Sequence, residues 1–314
     1  MENFVIIDIG SNSVRMAIYE IDQEGNYQEV KRMKSPARLS QGMGRKNRLQ
    51  SGAIQRTIKA LHQFQAFYSK LPNLTVTAIA TAAVRQAQNQ DDFLKLVRDQ
   101  TGIKIRVLTG AEEAYFDYEG VADRVKVHDF VLMDIGGASV EIVHVRKREA
   151  INYTSIPTGA VKITEQFHLK DQVSGADWLA AQQHIIEIFS KIGWLGRPVH
   201  YPVVLIGGAA RTLARINRRQ QALTPIDLIQ DYQLTRKQVG KTMLMLLSAN
   251  YKERKKIPGL ENDRADVIVG GLVNLTAIMD FIDSKRVIFS DGGVREGVIN
   301  EHLRQRLQRG VSHD

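Results

Sequence analysis

The sequence contains no cysteine, which excludes disulfides and thiolate metal sites together. Its eight histidines are scattered without a His-x-x-x-His pair or comparable spacing, so a zinc centre is not expected. Aromatic residues make up only 7%, and none interleave with basic residues in the way that stacks single-stranded bases. Nowhere does an apolar run approach the ~18 residues a membrane-spanning helix needs. Met1-Glu-Asn-Phe4 leads straight into an apolar stretch with no basic segment or cleavage pattern, and a cytoplasmic protein is expected.

What is present is a basic chain of 314 residues, with 43 Lys and Arg against 34 Asp and Glu, a net charge of +9. Such a balance attracts polyanions at long range, and with aromatics sparse it favours polyphosphates over nucleic acid. The length suggests two domains, each with its own core.

The most informative stretch is Asp134-Ile-Gly-Gly-Ala-Ser-Val-Glu141, between the apolar runs Phe130–Met133 and Ile142–Val145. It reads as a buried strand that delivers a carboxylate to a glycine turn, followed by a strand that carries a second carboxylate away. Glycines at Gly136 and Gly137 let backbone N–H groups approach phosphate oxygens, while Asp134 and Glu141 can hold Mg²⁺ or orient water. The pattern occurs once before, in Asp8-Ile-Gly-Ser-Asn-Ser-Val14; five of seven residue types agree, 126 positions apart. This is a duplicated phosphate-loop unit.

Along the chain, three strands (3–9, 14–22, 27–34) precede a helix from Ser51, a strand at 74–80, a short helix after Asp91 or Asp92, a strand at 103–108 and a helix from 110. The order then restarts at 130–134, 139–146 and 149–156. A helix at 175–193, a strand at 203–206, helices headed by Gly207, Thr235 and Asp263, a strand at 286–290 and a closing helix follow. We expect domains at 1–125 and 126–300, with a helix over 301–314 that packs back on the first domain. Alternating strands and helices imply central sheets covered on both faces. Two such domains would face each other across one cleft.

Glycine turns recur at Gly207-Gly208 and Gly292-Gly293, each after an apolar strand and before a helix, where anions are favoured. Of Glu112 and Glu113, one can serve as general base, and spacing does not choose between them. Arg85, just after a strand, is either a bidentate phosphate clamp or a surface arginine. The basic groups at Arg45–Arg48, Arg215–Arg219 and Lys252–Lys256 are either solvated faces or a track for an extended anion.

Together with Ala80-Thr-Ala-Ala-Val-Arg-Gln-Ala87, Leu108-Thr-Gly-Ala-Glu-Glu-Ala114, Gly207-Gly-Ala-Ala-Arg-Thr-Leu213 and Asp291-Gly-Gly-Val-Arg-Glu-Gly297, these motifs resemble the exopolyphosphatase and guanosine pentaphosphate phosphohydrolase family. The resemblance implies an α/β fold of two actin-like (ribonuclease H-like) domains. Each would be a mixed five-stranded sheet with helices on both faces, and the active-site cleft would lie between them. It implies Glu113 as catalytic base, with Asp134 and Glu141 orienting metal and water, and Asp8 as a further metal ligand. Ser11, Asn12, Ser13, Arg85, Gly136, Gly137, Ser139, Gly207 and Gly208 would contact phosphates. The implied cofactor is Mg²⁺ or Mn²⁺; the implied partners are inorganic polyphosphate and guanosine penta- or tetraphosphate, with homodimerisation left open.

The chain is expected to be a short, two-domain form, and it departs from the family pattern at two positions. Ala138 stands where a third glycine is usual, adding a Cβ where positive φ is expected. Val140 removes a hydroxyl donor, and a lost bond to a charged group is worth about 1.5–3 kcal/mol. These departures motivate an alternative, a guanosine tetra- or pentaphosphate-binding regulatory protein with weak or no hydrolysis.

Overall fold

The computed structural model describes residues 1–44 and 46–311; Arg45 of the expected basic loop and residues 312–314 of the expected C-terminal helix lie outside the described residues. The chain divides into two compact units, Met1–Thr109 with the stretch from Val298, and Gly110–Gly297.

In the first unit, β1 (Glu2–Ile9), β2 (Val14–Ile21) and β3 (Tyr27–Ser35) precede α1 (Ser51–Tyr68) and β4 (Leu74–Ala80). α2 (Ala82–Arg85), α3 (Gln90–Thr101) and β5 (Ile105–Val107) follow. The sheet order is β3-β2-β1-β4-β5, antiparallel across β1–β2–β3 and parallel across β1–β4–β5. β1 is buried at every residue but the first, with Phe4–Ile7 an unbroken apolar run, because it is covered on both faces. Val5, Ile7 and Ile9 join Ala53, Ile58 and Leu61 of α1 in one core. On the opposite face Phe4 stacks on His302, with ring centroids 4.0 Å apart. His302 belongs to the last helix, whose Glu301 and Arg306 also pair with Arg106 and Glu2.

The second unit opens with α4 (Gly110–Val121), then β6 (Phe130–Ile135), β7 (Val140–Arg146), β8 (Glu149–Ile156), α5 (Ala160–Gln166) and α6 (Gly175–Ser190). It continues through β9 (Val203–Ile206), α7 (Gly207–Gln220), β10 (Gln233–Thr235), α8 (Arg236–Ser248), α9 (Tyr251–Arg254), α10 (Ile268–Phe281) and β11 (Arg286–Phe289). The closing helix is α11 (Val294–Val311). The second sheet has order β10-β11-β9-β6-β7-β8, six strands where five were expected, because β10 adds antiparallel to β11. Val131, Met133 and Ile142 face the larger core under α7 and α10, while Leu132, Val143 and Val145 face Ala114 and Val121 of α4. That packing puts α4 with the second unit, so the compact units divide at 109/110 and not near residue 125.

Thr235 caps α8 in a reciprocal capping box with Gln238. The helix expected from Asp263 starts only at Ile268, after consecutive turns at 262–267. Among the described residues, no helix is long and apolar enough to cross a membrane.

Candidate active site and metal centre

The turn after β6 is closed by Gly136 N–H, which donates to Ser139 O at 3.1 Å. β6 and β7 pair antiparallel, so Asp134 and Glu141 stand directly opposite one another. α4 crosses this side of the sheet and brings a third acid, Asp117. One oxygen from each of Asp117, Asp134 and Glu141 lies within 4.8 Å of the others; Asp117 and Glu141 are buried and Asp134 half-buried. Three carboxylates this close repel one another strongly unless cations or protons sit among them.

The surroundings hold these acids in place. Glu141, 1% exposed, accepts from the hydroxyls of Ser139 and Ser155 at 2.7 Å each, both on Oε1. Gly207, the first residue of α7, has φ of +82°, and a Cβ there would lie 1.9 Å from Asp134 Oδ1. Only glycine accommodates both the left-handed backbone and the carboxylate beside it. Behind it, the Arg264 guanidinium lies against Gly208, 2.1 Å from where a Cβ would be, and pairs with Glu261 at 2.9 Å. The oxygen-only donor set and the cradle at Gly207 fit a hard divalent cation such as Mg²⁺.

Glu113 lies one helical turn before Asp117, on the same side of α4, and is 8% exposed, whereas Glu112 is half-buried. The Ala138 and Val140 departures cost the hairpin little. Ala138 is not among the residues with positive φ; it packs on Gly159, where a Cβ would come within 2.4 Å of its nitrogen. Val140 is fully buried in the larger core, and Ser139 and Ser155 supply the hydroxyls around Glu141.

In the first unit the sister turn closes identically, Gly10 N–H to Ser13 O at 3.1 Å. Here the carbonyls of Ser11 and Asn12 accept from Ser40 and Arg38 N–H groups, each at 2.9 Å. Asp8, expected as a metal ligand, is not part of the carboxylate group; it stands opposite Arg15, 3.8 Å from its guanidinium, and Arg15 also donates to Ser13 Oγ. Arg85, in α2, donates to Leu108 O at 2.8 Å.

Two other expected anion sites are placed as follows. A Cβ on Gly292 would meet Gly120 O of α4 at 2.1 Å and one on Gly120 would meet Gly293 O at 2.2 Å, whereas one on Gly293 would lie 3.7 Å from Asp117 Oδ1, so that turn packs closely on α4 beside the carboxylates. Of the basic groups, Arg215 pairs with Asp227 and Glu261, and Arg218 bonds Pro225 O. Arg254 is fully buried, donating to backbone carbonyls including those of Leu246 and Lys170. Sequence reasoning missed Asp117, although its spacing of four from Glu113 was a usable signal.

Known proteins place this geometry in context. A 30% identical protein from Photobacterium profundum, named guanosine-5'-triphosphate,3'-diphosphate pyrophosphatase, aligns over 98% of this chain and 61% of its own length. A bifunctional 3-dehydroquinate synthase/phosphatase from Fusobacterium nucleatum is 28% identical over 94% of this chain and 46% of its own length. The chain thus spans about half to three-fifths of the curated relatives it matches. An exopolyphosphatase crystal structure from Cytophaga hutchinsonii superposes with a TM-score of 0.90, covering 97% of this chain and 98% of that one at 23% identity, and so has the same fold. The Ppx/GppA phosphatase family profile matches residues 17–306. That match covers most of both units, and the chain therefore belongs to the Ppx/GppA phosphatase family.

Proposed function

We propose that the chain hydrolyses terminal phosphoanhydride bonds of inorganic polyphosphate, or the 5'-phosphate of guanosine pentaphosphate, and releases orthophosphate. The observation that carries this reading is the oxygen-only trio of Asp117, Asp134 and Glu141 beside a glycine turn. The activities for which its relatives are named point the same way. Asp117, Asp134 and Glu141 would hold Mg²⁺ or Mn²⁺, which when bound neutralises phosphate charge.

The protein's own part is positioning. Glu113, shielded from bulk water on α4, orients and deprotonates the attacking water. Ser139 and Ser155 fix the Glu141 carboxylate, so its direction is set before substrate arrives. Ser11, Asn12, Ser13 and Arg85 are proposed phosphate contacts of the first unit.

The test is phosphate release with Mg²⁺ from long polyphosphate and from guanosine pentaphosphate, beside Glu113→Gln. Release that the substitution lowers at least ~10²-fold, the range for a general base, supports the reading. Binding without release in the unsubstituted protein overturns it and leaves the regulatory alternative.

A further inference from the structure

α5 begins hard against the glycine turn of the carboxylate site. Ala160 N–H donates to Gly136 O at 2.9 Å; the N–H groups of Val161 and Lys162 donate to Gly137 O at 2.9 and 3.3 Å. Those backbone donors are occupied, so the end of α5 has none of these amides to offer an anion lying on the turn. Charge for such an anion must come from a side chain.

Lys162 is placed to supply it. A helical Cα–Cβ bond tilts toward the helix N-terminus, so a first-turn side chain covers what lies N-terminal to its own Cα. For Lys162 that is the Gly136–Ser139 turn. The face of α5 packed on α10 carries Ala160 and Thr164, which close on Gly270 and Gly271. Lys162 lies about 200° round the helix from Ala160, away from that contact.

The side chain is half-buried, yet among the described residues no carboxylate, carbonyl or ring partners its ammonium group. Burial alone pushes its pKa below the ordinary lysine value. A half-buried cation without a counter-charge is held at a cost that a bound anion removes.

We propose that Lys162 is an anion-binding residue that holds, over the Gly136–Gly137 turn, a phosphoryl group of the substrate other than the one being cleaved. The identity of that anion as substrate rests on the hydrolase reading above; binding itself does not. A lysine acts as a point charge with no fixed fork, which suits the variable oxygen arrangement along a linear phosphate chain. The residue therefore selects for linked phosphates over a single phosphate ester.

The experiment is calorimetric titration of the full chain with inorganic tripolyphosphate, comparing the unsubstituted protein with Lys162→Met and Lys162→Arg. Loss of a charge-assisted contact predicts affinity at least ~10-fold weaker for Lys162→Met, restored within about threefold by Lys162→Arg. With long polyphosphate the same change should raise KM while kcat stays within about twofold. Tripolyphosphate should also protect Lys162 of the unsubstituted protein from an amine-acylating reagent, a readout that needs no variant to fold. Equal affinity in Lys162→Met, or no protection, overturns the proposal. Binding and protection without hydrolysis would sustain Lys162 and sink the hydrolase reading, so the two fail separately.

Discussion

In the β1–β2 hairpin Asp8 stands across from Arg15; in the β6–β7 hairpin the equivalent Asp134 stands across from Glu141. The turns close with the same Gly N–H to Ser O bond, at 3.1 Å in both. One cross-strand position thus decides what a shared scaffold does. In the first copy an arginine neutralises the aspartate from within the chain. In the second, Glu141 adds charge and Asp117 adds more, which concentrates negative charge where a cation is favoured. The fifth residue of the second strand differs too: Ile18 lies in an apolar face of the first unit, whereas His144 lies near Trp194 and Tyr201 in the second.

The largest effect should separate the two aspartates. Asp134→Asn and Glu141→Gln should each lower kcat at least ~10²-fold, while Asp8→Asn should lower it less than ~10-fold. Equal losses in steady-state phosphate release would break the asymmetry. Next, Gly207→Ala forces a Cβ into the Asp134 carboxylate at left-handed φ. It should lose about 1–2 kcal/mol in urea unfolding and need ~10-fold or more Mg²⁺ for half-maximal rate. Gly10→Ala, whose Cβ would sit 3.0 Å from Ser13 O without left-handed φ, should do less on both measures.

The serines sharpen the comparison further. Ser155→Ala removes a 2.7 Å bond to buried Glu141, and a contact of about 1.5–3 kcal/mol predicts kcat/KM down ~10-fold or more. Ser13→Ala, which loses a 3.2 Å contact with partly exposed Arg15 and a proposed phosphate contact, should lower kcat/KM less than Ser155→Ala does, and through KM while kcat stays within about twofold.

The smallest effect concerns pH. Burial is the main cause that holds His144 below the ordinary imidazole value, so the folded state binds its proton less readily than the unfolded chain. Stability is therefore retained above about pH 6.5 and is lost as pH falls from there through the folded value. Chemical denaturation across that window should slope less in His144→Ile, the residue type of the first hairpin. An unchanged slope would assign the pH response elsewhere.

Much of this was legible in the sequence because the signals were local. Buried strands read as apolar runs, the hairpin copies read as a repeat, and Thr235 marked the start of its helix. What escaped was set by distant contacts. α5 has no side-chain cap; its first N–H groups are met by Gly136 and Gly137, more than twenty residues earlier in the chain. β10 is three residues long and exists through its pairing with β11. Asp117 looked like one more acid on a helix until the sheet came up beneath it. The close approach of the Gly292-Gly293 turn to α4 also escaped, because a sequence shows that a Cβ is missing, not what occupies the space.

That space has a mechanical consequence. On the side of α4 where Gly120 meets Gly292 and Gly293, and Phe116 meets Gly297, backbone touches backbone with no side chain between. Flexible side chains let helices slide by changing rotamer; bare main chain offers no such compliance. Such a joint fixes the axial position of α4 as a dowel fixes two plates, and with it the reach of Glu113 and Asp117. A substitution at Gly120 or Gly297 would therefore act as a misalignment, felt one and two turns back along the helix at Asp117 and Glu113.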